Sequence, residues 1–416
     1  MHRRLVDVGQ NGVRVRFIGG NRAGEMRITR FLRNKKVQLG EMISHASALT
    51  ASQVKDRHIL AIQDTTHLRD DGKSHSIVAH PTLGVDADDG TLLGLIHAEL
   101  LERKGGQRGQ RHQRKIEDKE SYRWLEGAEH AGRLMAAGAC KVTVICDSEA
   151  DIYEMFCSRP EGVGLIVRSR HNRKLSDGIF LGERIDGLQE AGQMEVSLPA
   201  SPGRKARDMT LSLRYCSVRF KRPERASRAA PEHVEAYIVD AMELSPPGGG
   251  EPAHWRLITT RSVTTLDEAR CLIRLYRQRW TIEQLFRVLK TKGFNIEAVR
   301  ITGAEPFKKL ALACLIAAVS VLQLVRSRDG QSGRPLTDLF DEEETALIEA
   351  VSRDLEGGTA KQKNPHPPKT LAFAAWVCAR LGGWTGYYGK PGPIVMLTGM
   401  RRLKELKLGW ALARDV

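Results

Sequence analysis

The stretch KVTVICDSEADIYEMF, residues 141–156, decides the fold of this chain. It opens with a short apolar run rich in β-branched residues, which is typical of a buried strand, and continues into a helical pattern. Asp147 stands where the predicted strand ends. We therefore predict a central strand that carries a carboxylate to the edge of a sheet.

A second stretch upstream has the same arrangement. HILAIQDTTHL, residues 58–68, is again short and apolar, and Asp64 lies at the exit of its predicted strand. The following segment predicts two strands around the turn Asp88-Asp89-Gly90, a good hairpin signal. A helix is predicted from about Ser121 to Gly138. This order of strand with acid, hairpin, helix and strand with acid is what a ribonuclease-H-like α/β core would show.

The remaining chain divides around this core. Short alternating stretches separated by Gly, Pro and charged turns predict a β-rich insertion, and apolar periodic stretches predict helices at both ends. The predicted divisions are a short N-terminal helical DNA-binding segment at 1–57, with a helix from about Glu25 to Leu49, the first part of the core at 58–160, the insertion at 161–260, the continued core at 261–330 and a C-terminal helical segment at 331–416, which is expected to form the dimer.

A long helix is predicted to carry a third acid. The capping box Thr265-Leu266-Asp267-Glu268 opens it, and it runs to about Lys292. Several polar residues on this helix repeat at intervals of seven, which would place them on one face. They are Tyr276, Glu283 and Lys290, flanked by Arg279 and Arg287.

Charge and composition narrow the class of protein. Lysine and arginine outnumber the acids 65 to 50, giving a formal charge of +15, and a polyanionic partner is a natural but unspecific inference. The seven cysteines are scattered without CxxC spacing, which fits a reducing cytoplasm and argues against a zinc site. The apolar run Leu310 to Val325 is predicted to be a buried helix, so no membrane span is expected.

Two aspartates at strand ends and a glutamate on a helix can hold two Mg²⁺ ions, and Mn²⁺ can substitute for them. Paired ions suit an in-line displacement at a phosphodiester. Any three acids could be assembled into such a site, however, so spacing alone carries little weight. The flanking residues decide the matter.

The sequence YRQRWTIEQLFRVLK, residues 276–290, resembles the YREK signature of the insertion-sequence-four family of bacterial DDE transposases, the group that contains the Tn-five transposase. QDTT at 63–66 and CDSEADIYE at 146–154 resemble the other two motifs of this family, in the same order. The resemblance extends from about residue 20 to the C-terminus. It includes KESYRWLEG at 119–127, VRSRHNRK at 167–174 and ARLGGW at 379–384.

The resemblance implies a metal-dependent enzyme that nicks DNA, forms and resolves a hairpin at the transposon end, and joins that end to target DNA as a homodimer. It implies that Asp64, Asp147 and Glu283 are the catalytic metal ligands. Residues matching the signature are expected to contact DNA phosphates near the cut. These residues are Tyr276, Arg279 and Lys290, with Arg287 beside them.

Two further sets of predicted DNA contacts have alternative interpretations that involve no DNA. Trp255 resembles the family tryptophan on which a flipped base stacks, and the resemblance favours that role over the alternative of a half-buried strand residue. A basic run resembles a DNA-contacting stretch of the insertion, and a solvated charge run is the alternative. This run contains Arg168, Arg170, Arg173 and Lys174. The basic loop at 105–115 is expected to be disordered.

Two rival functions remain open at the level of sequence. A plain metal-dependent nuclease would use the same acids without needing Trp255 or the YREK residues. A DNA-binding repressor descended from a transposase would be expected to have lost an acid, and none is lost. Only 63 residues precede Asp64, whereas the family usually has a longer N-terminal DNA-binding segment. Two explanations are open: recognition of the terminal sequence is partly lost, or the start site is truncated.

Overall fold

A computed structural model describes most of the chain. The described residues are 13–70, 75–104, 119–198, 206–224, 226–246, 250–291, 293–387 and 389–414. The basic loop at 105–115 therefore lies outside the described residues. Two compact units are found. The helical unit comprises Met1–Gln53, Thr65–Gly106 and Thr281–Val416, and the sheet unit comprises Val54–Asp64 and Gln107–Trp280.

The strands and helices are numbered in chain order through both units. The strands are β1 His58–Gln63, β2 Thr66–Asp70, β3 His75–Asp86, β4 Leu92–Lys104, β5 Lys141–Cys146, β6 Val163–Arg168, β7 Gly192–Leu198, β8 Arg207–Lys221, β9 His233–Glu243 and β10 His254–Thr259. The helices are α1 Val15–Gly19, α2 Arg22–Arg33, α3 Leu39–Ala51, α4 Tyr122–Ala136, α5 Tyr153–Cys157, α6 Leu181–Asp186, α7 Leu266–Arg277, α8 Trp280–Leu289, α9 Ala304–Ser327, α10 Glu342–Leu355, α11 Leu371–Leu381 and α12 Pro393–Arg414.

The sheet unit is built on a mixed sheet. Its strands follow the order β1-β5-β6-β10-β9-β8-β7, in which β1, β5 and β6 are parallel and the remaining neighbours are antiparallel. The last five residues of β1 and of β5 are all buried, as expected for central parallel strands covered on both faces. The predicted insertion at 161–260 thus includes β6, which pairs parallel with β5, and its other strands continue the sheet outward from β6.

Helix α4 lies close against β1. A Cβ atom added at Gly127 would lie 2.5 Å from the side-chain oxygen of Gln63, so a larger residue here would displace the Gln63 amide. Gln63 is fully buried and directly precedes Asp64. The close packing of α4 therefore fixes the end of β1 from which Asp64 projects.

The helical unit contains the predicted hairpin and the apolar helix. Strands β3 and β4 pair antiparallel around Gly90, whose φ of 71° meets the turn requirement. Helix α9 is long and apolar enough to cross a membrane by length and composition, but 78% of its most apolar window is buried inside the protein. The predicted hairpin and buried helix are both confirmed.

Two helix predictions are wrong in their extent. The N-terminal helix expected over 25–49 is two helices, because α2 ends at Arg33 and α3 begins at Leu39. The long helix expected over 265–292 is also two, since α7 ends at Arg277 and α8 begins at Trp280. Its capping box is confirmed. The turn at 278–279 removes the continuous helix that would have placed Tyr276 and Glu283 on one face.

Candidate active site

Asp64 and Asp147 project from neighbouring parallel strands. The register pairs Ile62 with Ile145, and continued two residues it brings Asp64 opposite Asp147. Adjacent strands are about 4.8 Å apart, so both carboxylates lie at the same edge of the sheet. The predicted strand positions of the two acids are therefore confirmed.

Arg279 neutralises one of these acids. Its Nη1 atom donates to Oδ2 of Asp64 at 2.5 Å, and both side chains are largely buried. Arg279 belongs to the turn between α7 and α8. This turn is tight, since the backbone nitrogen of Arg279 donates to the carbonyl of Tyr276 at 2.9 Å. Arg279 thus lies in the turn that interrupts the predicted helix.

Asp147 is left with an unsatisfied atom. Among the described residues, its Oδ1 atom is buried and accepts no hydrogen bond. A buried acceptor without a partner is costly and calls for an explanation. An oxygen-only donor set that includes such an atom suits a hard divalent cation such as Mg²⁺. The residues present at this edge therefore fit a metal ion.

Tyr276 lies beside the two aspartates. It is only 5% exposed, and burial raises the pKa of its phenol, with Asp147 and Asp64 adding to the rise while Arg279 and Arg168 oppose it. The hydroxyl therefore stays protonated in the ordinary pH range. A protonated phenol can donate a hydrogen bond to a phosphate oxygen.

Trp255 contacts Tyr276 edge to face. The ring centroids are 6.5 Å apart with an interplanar angle of 60°, a favoured aromatic geometry. Trp255 is half-buried on β10, so part of its ring surface remains open to a ligand. Half-burial on a strand is compatible both with base stacking and with the alternative of a half-buried strand residue.

The strand that carries Trp255 is held by a charged cluster absent from the sequence prediction. Asp240 on β9 is 4% exposed and accepts from Nε2 of His254 and Nε of Arg256, each at 2.8 Å. Burial alone would raise the pKa of Asp240, but these two hydrogen bonds hold it below its usual value. The only sequence signal was the alternation of His254, Trp255 and Arg256, which places the two polar residues on the face opposite the indole.

The three acids of the segment DSEAD have different surroundings. Asp147 has the unsatisfied oxygen, whereas Glu149 is 55% exposed and pairs with Arg123 at 2.8 Å. The Asp151 side chain is fully buried and pairs with Arg173. The choice of Asp147 from this group rests on its position at the strand end, which the structure confirms.

The four basic residues after β6 do not share one environment. Arg168, Arg170 and Lys174 are exposed, as a surface that contacts DNA requires. Arg173 is only 9% exposed at its side chain because its guanidinium contacts Asp151. Sequence reasoning treated the four as one run, and nothing in their spacing distinguishes Arg173.

The remaining predicted site residues lie on or just after α8. Glu283 is half-buried in the first turn of α8, and Arg287 is exposed in its last turn. Lys290 follows the helix and pairs with Glu297, with Nζ 2.8 Å from Oε1. Burial, followed by the nearby Asp64 and Asp147, raises the pKa of the Cys146 thiol well above its ordinary value.

A comparison with known protein families places this arrangement in context. The family model described as the transposase DDE domain matches residues 57–320, more than half of the chain. The match begins just before β1 and ends within α9, so it contains Asp64, Asp147 and Glu283. The chain belongs to the transposase DDE domain family.

Proposed function

We propose that this protein is a cut-and-paste transposase of the insertion-sequence-four type, with a ribonuclease-H-like core interrupted by the β7 to β10 strands. Membership of the transposase family makes it an enzyme that acts on DNA. The finer proposal concerns the sequence of strand cleavages and the residues that perform them. One observation carries it: two aspartates in register at a sheet edge, one of them with a buried oxygen that accepts no hydrogen bond from the described residues.

Asp64, Asp147 and Glu283 are proposed to hold two Mg²⁺ ions, with Mn²⁺ able to substitute. Members of this family generally use a divalent metal, and oxygen ligands suit these ions. When bound, the ions would favour ionisation of the attacking hydroxyl and stabilise the leaving oxygen. Glu283 is assigned by its place in the YREK sequence, four residues after Arg279.

The cationic side chains are proposed to bind and orient the DNA backbone. Arg279 and Lys290, which pair with Asp64 and Glu297 in this structure, are proposed to exchange these partners for phosphates near the cut when DNA binds. Arg287 is exposed and is proposed to add a further contact. Tyr276 donates its hydroxyl proton to a phosphate oxygen. Its neighbour Trp255 offers the open part of its indole to a flipped base, an interaction worth about 1–3 kcal/mol.

The first step in this proposal is hydrolysis. A water oxygen bonds to phosphorus while the bond from phosphorus to the 3′ oxygen breaks, leaving a 3′ hydroxyl. That hydroxyl attacks the opposite strand and closes a hairpin, which water then opens. The same 3′ hydroxyl finally attacks target DNA, so each step exchanges one phosphodiester for another bond to phosphorus and needs no oxidant or reductant.

The proposed partners are transposon-end DNA with inverted repeats and target DNA. The synaptic complex would contain a homodimer, in a bacterial cytoplasm. The terminal repeats can be sought in the DNA that flanks the gene. A matched pair of inverted repeats there would supply the substrate for the test.

The test is a time course on end-labelled DNA that contains one such repeat, with Mg²⁺, resolved on denaturing gels. A transposase should give a nick, then a hairpin of nearly doubled strand length, then an opened end. Nicking anywhere, without a hairpin, would indicate a plain nuclease and overturn the proposal. Binding of the repeat without any cleavage would indicate a DNA-binding repressor and would also overturn it.

A further inference from the structure

Asp151 has an unusually complete set of hydrogen bonds for a buried acid. Its Oδ2 atom accepts from the backbone nitrogens of Arg170 and His171 at 2.8 and 2.9 Å. Its Oδ1 atom accepts from Nε and Nη2 of Arg173 at 3.0 and 2.5 Å. Both oxygens of one fully buried carboxylate are therefore occupied by the loop that follows β6.

Arg173 is fixed on its other side by aromatic rings. Its guanidinium lies 5.6 Å from the ring centroids of both Phe156 and Phe220, within the range of cation–π attraction. Its Nη2 atom also donates to the backbone carbonyl of Asp151 at 2.7 Å. A buried ion pair is tolerated when its remaining groups are satisfied in this way.

The same loop is anchored at both ends. Arg168 pairs with Leu257 in the β6–β10 ladder, and the carbonyl of Lys174 accepts from the backbone nitrogen of Lys221 at 3.1 Å. Between these anchors Asp151 holds the backbone at Arg170 while the Arg170 side chain remains exposed. The loop backbone is therefore held at several points, while the side chains of Arg168, Arg170 and Lys174 are exposed.

We propose that Asp151 is a positioning residue that holds the loop 168–174 so that Arg168, Arg170 and Lys174 face the phosphate backbone of bound DNA. Arg173 is its internal anchor and does not contact DNA. A cationic loop that is already ordered loses less conformational entropy when it binds DNA, so the entropic cost of binding is smaller. This inference rests on the proposed function, because it requires that the sheet unit contacts DNA.

The substitution Asp151→Asn separates positioning from simple electrostatics. It removes a negative charge, so electrostatics alone predicts tighter DNA binding. Positioning predicts the reverse. DNA affinity should fall about tenfold at low salt, and the slope of log affinity against log salt should decrease by the amount expected for the loss of about one to two phosphate contacts. If Asp151→Asn only lowered the stability of the protein and left the loop ordered, the molecules that remain folded would show the wild-type dependence of DNA affinity on salt. That result would contradict the positioning role.

A matched control is available in the same region. Asp177 makes an ion pair with Arg184 in which both side chains are at least 40% exposed. The variant Asp177→Asn removes the same charge without touching the loop, so its DNA affinity should equal or exceed that of the wild type. If Asp151→Asn behaved like Asp177→Asn, the positioning role would be overturned.

Hydrogen exchange on the unaltered protein keeps the test valid if Asp151→Asn fails to fold. The amides of Arg170 and His171 should be protected although their side chains are exposed. Exchange at the rate of an open loop would contradict the proposal. The variant Arg170→Ala distinguishes failure of this inference from failure of the proposed function. If Arg170→Ala binds DNA and nicks it like the wild type, only the inference is wrong. If the wild type itself does not cleave transposon-end DNA specifically, the proposed function is wrong.

Discussion

Asp147 and Asp151 stand four residues apart, yet their carboxylates are in opposite situations. Asp147 lies at the sheet edge opposite Asp64 and has a buried oxygen that accepts no hydrogen bond from the described residues. Asp151 is fully buried and takes two backbone donors and the guanidinium of Arg173. Burial alone therefore does not separate the acid proposed to bind metal from the acid that is fully hydrogen-bonded within the fold.

Hydrogen bonding is what distinguishes Asp147 from Asp151, whereas Asp64, the other aspartate of the proposed metal site, is paired with Arg279. A carboxylate whose acceptors are filled contributes to stability and is already committed to the fold. A carboxylate with a buried unfilled acceptor costs stability unless a ligand is bound there. Glu149, exposed and paired with Arg123, belongs to neither class and supplies a neutral reference within the same segment.

The largest expected effect is on Asp147. The variant Asp147→Asn keeps the shape but removes a ligand charge, and metal assistance supplies several kcal/mol of transition-state stabilisation. At about 1.36 kcal/mol per tenfold, single-turnover nicking should fall on the order of a thousandfold or more. Thermal melting should be unchanged or slightly improved, because a repulsion with Asp64 is removed.

The reference for this experiment is Glu149→Gln. It alters an acid of the same segment whose side chain is 55% exposed, so nicking should stay within about twofold of the wild type. Nicking at wild-type rates in Asp147→Asn, or a large loss in Glu149→Gln, would break the distinction between the two acids.

A smaller and more selective effect is expected at Trp255. Its half-buried ring makes Trp255→Ala a loss of stacking, so hairpin formation should slow by about 5- to 150-fold while the first nick is retained. Trp124 is 1% exposed, and Trp124→Ala should instead cost about 3–5 kcal/mol of folding free energy and reduce every step. Melting curves beside a labelled time course separate the two outcomes, and a lowered melting temperature with uniform loss of all steps in Trp255→Ala would favour the alternative of a structural strand residue.

The smallest effect concerns the thiol next to Asp147. Cys146 is buried and its pKa is raised by burial and by the nearby acids, whereas Cys140 is exposed. Because the thiolate is the reactive form, iodoacetamide at pH 8 should modify Cys140 and spare Cys146, with nicking retained. Mass spectrometry of the modified peptides is the measurement, and rapid loss of activity through Cys146 would contradict a structural role.

Local patterns predicted the elements that position the acids. Apolar runs of strand length gave β1 and β5, the turn Asp88-Asp89-Gly90 gave the hairpin, and the capping box gave the start of α7. In each case the signal lies within a few residues of the feature. The register of β1 with β5 was not predictable, because it is fixed by contacts between strands far apart in sequence.

Features that depend on distant partners were missed for the same reason. The turn between α7 and α8 contains neither glycine nor proline, and its arginine is held by Asp64, 215 residues away. Asp151 pairs with Arg173, which is 22 residues away in sequence, and the Arg173 guanidinium also lies against the rings of Phe156 and Phe220. Residue type and spacing predicted which side chains are charged, but tertiary contacts determine which charges remain available.

The binding of Mn²⁺ to folded variants tests the central claim most directly. Free Mn²⁺ can be measured by electron paramagnetic resonance with wild-type protein, Asp147→Asn and Asp151→Asn, each checked by circular dichroism. The account predicts that Asp147→Asn weakens Mn²⁺ binding at least about tenfold, or about 1.4 kcal/mol, while Asp151→Asn binds Mn²⁺ like the wild type. Wild-type affinity in Asp147→Asn, or loss of Mn²⁺ binding in folded Asp151→Asn, would contradict it.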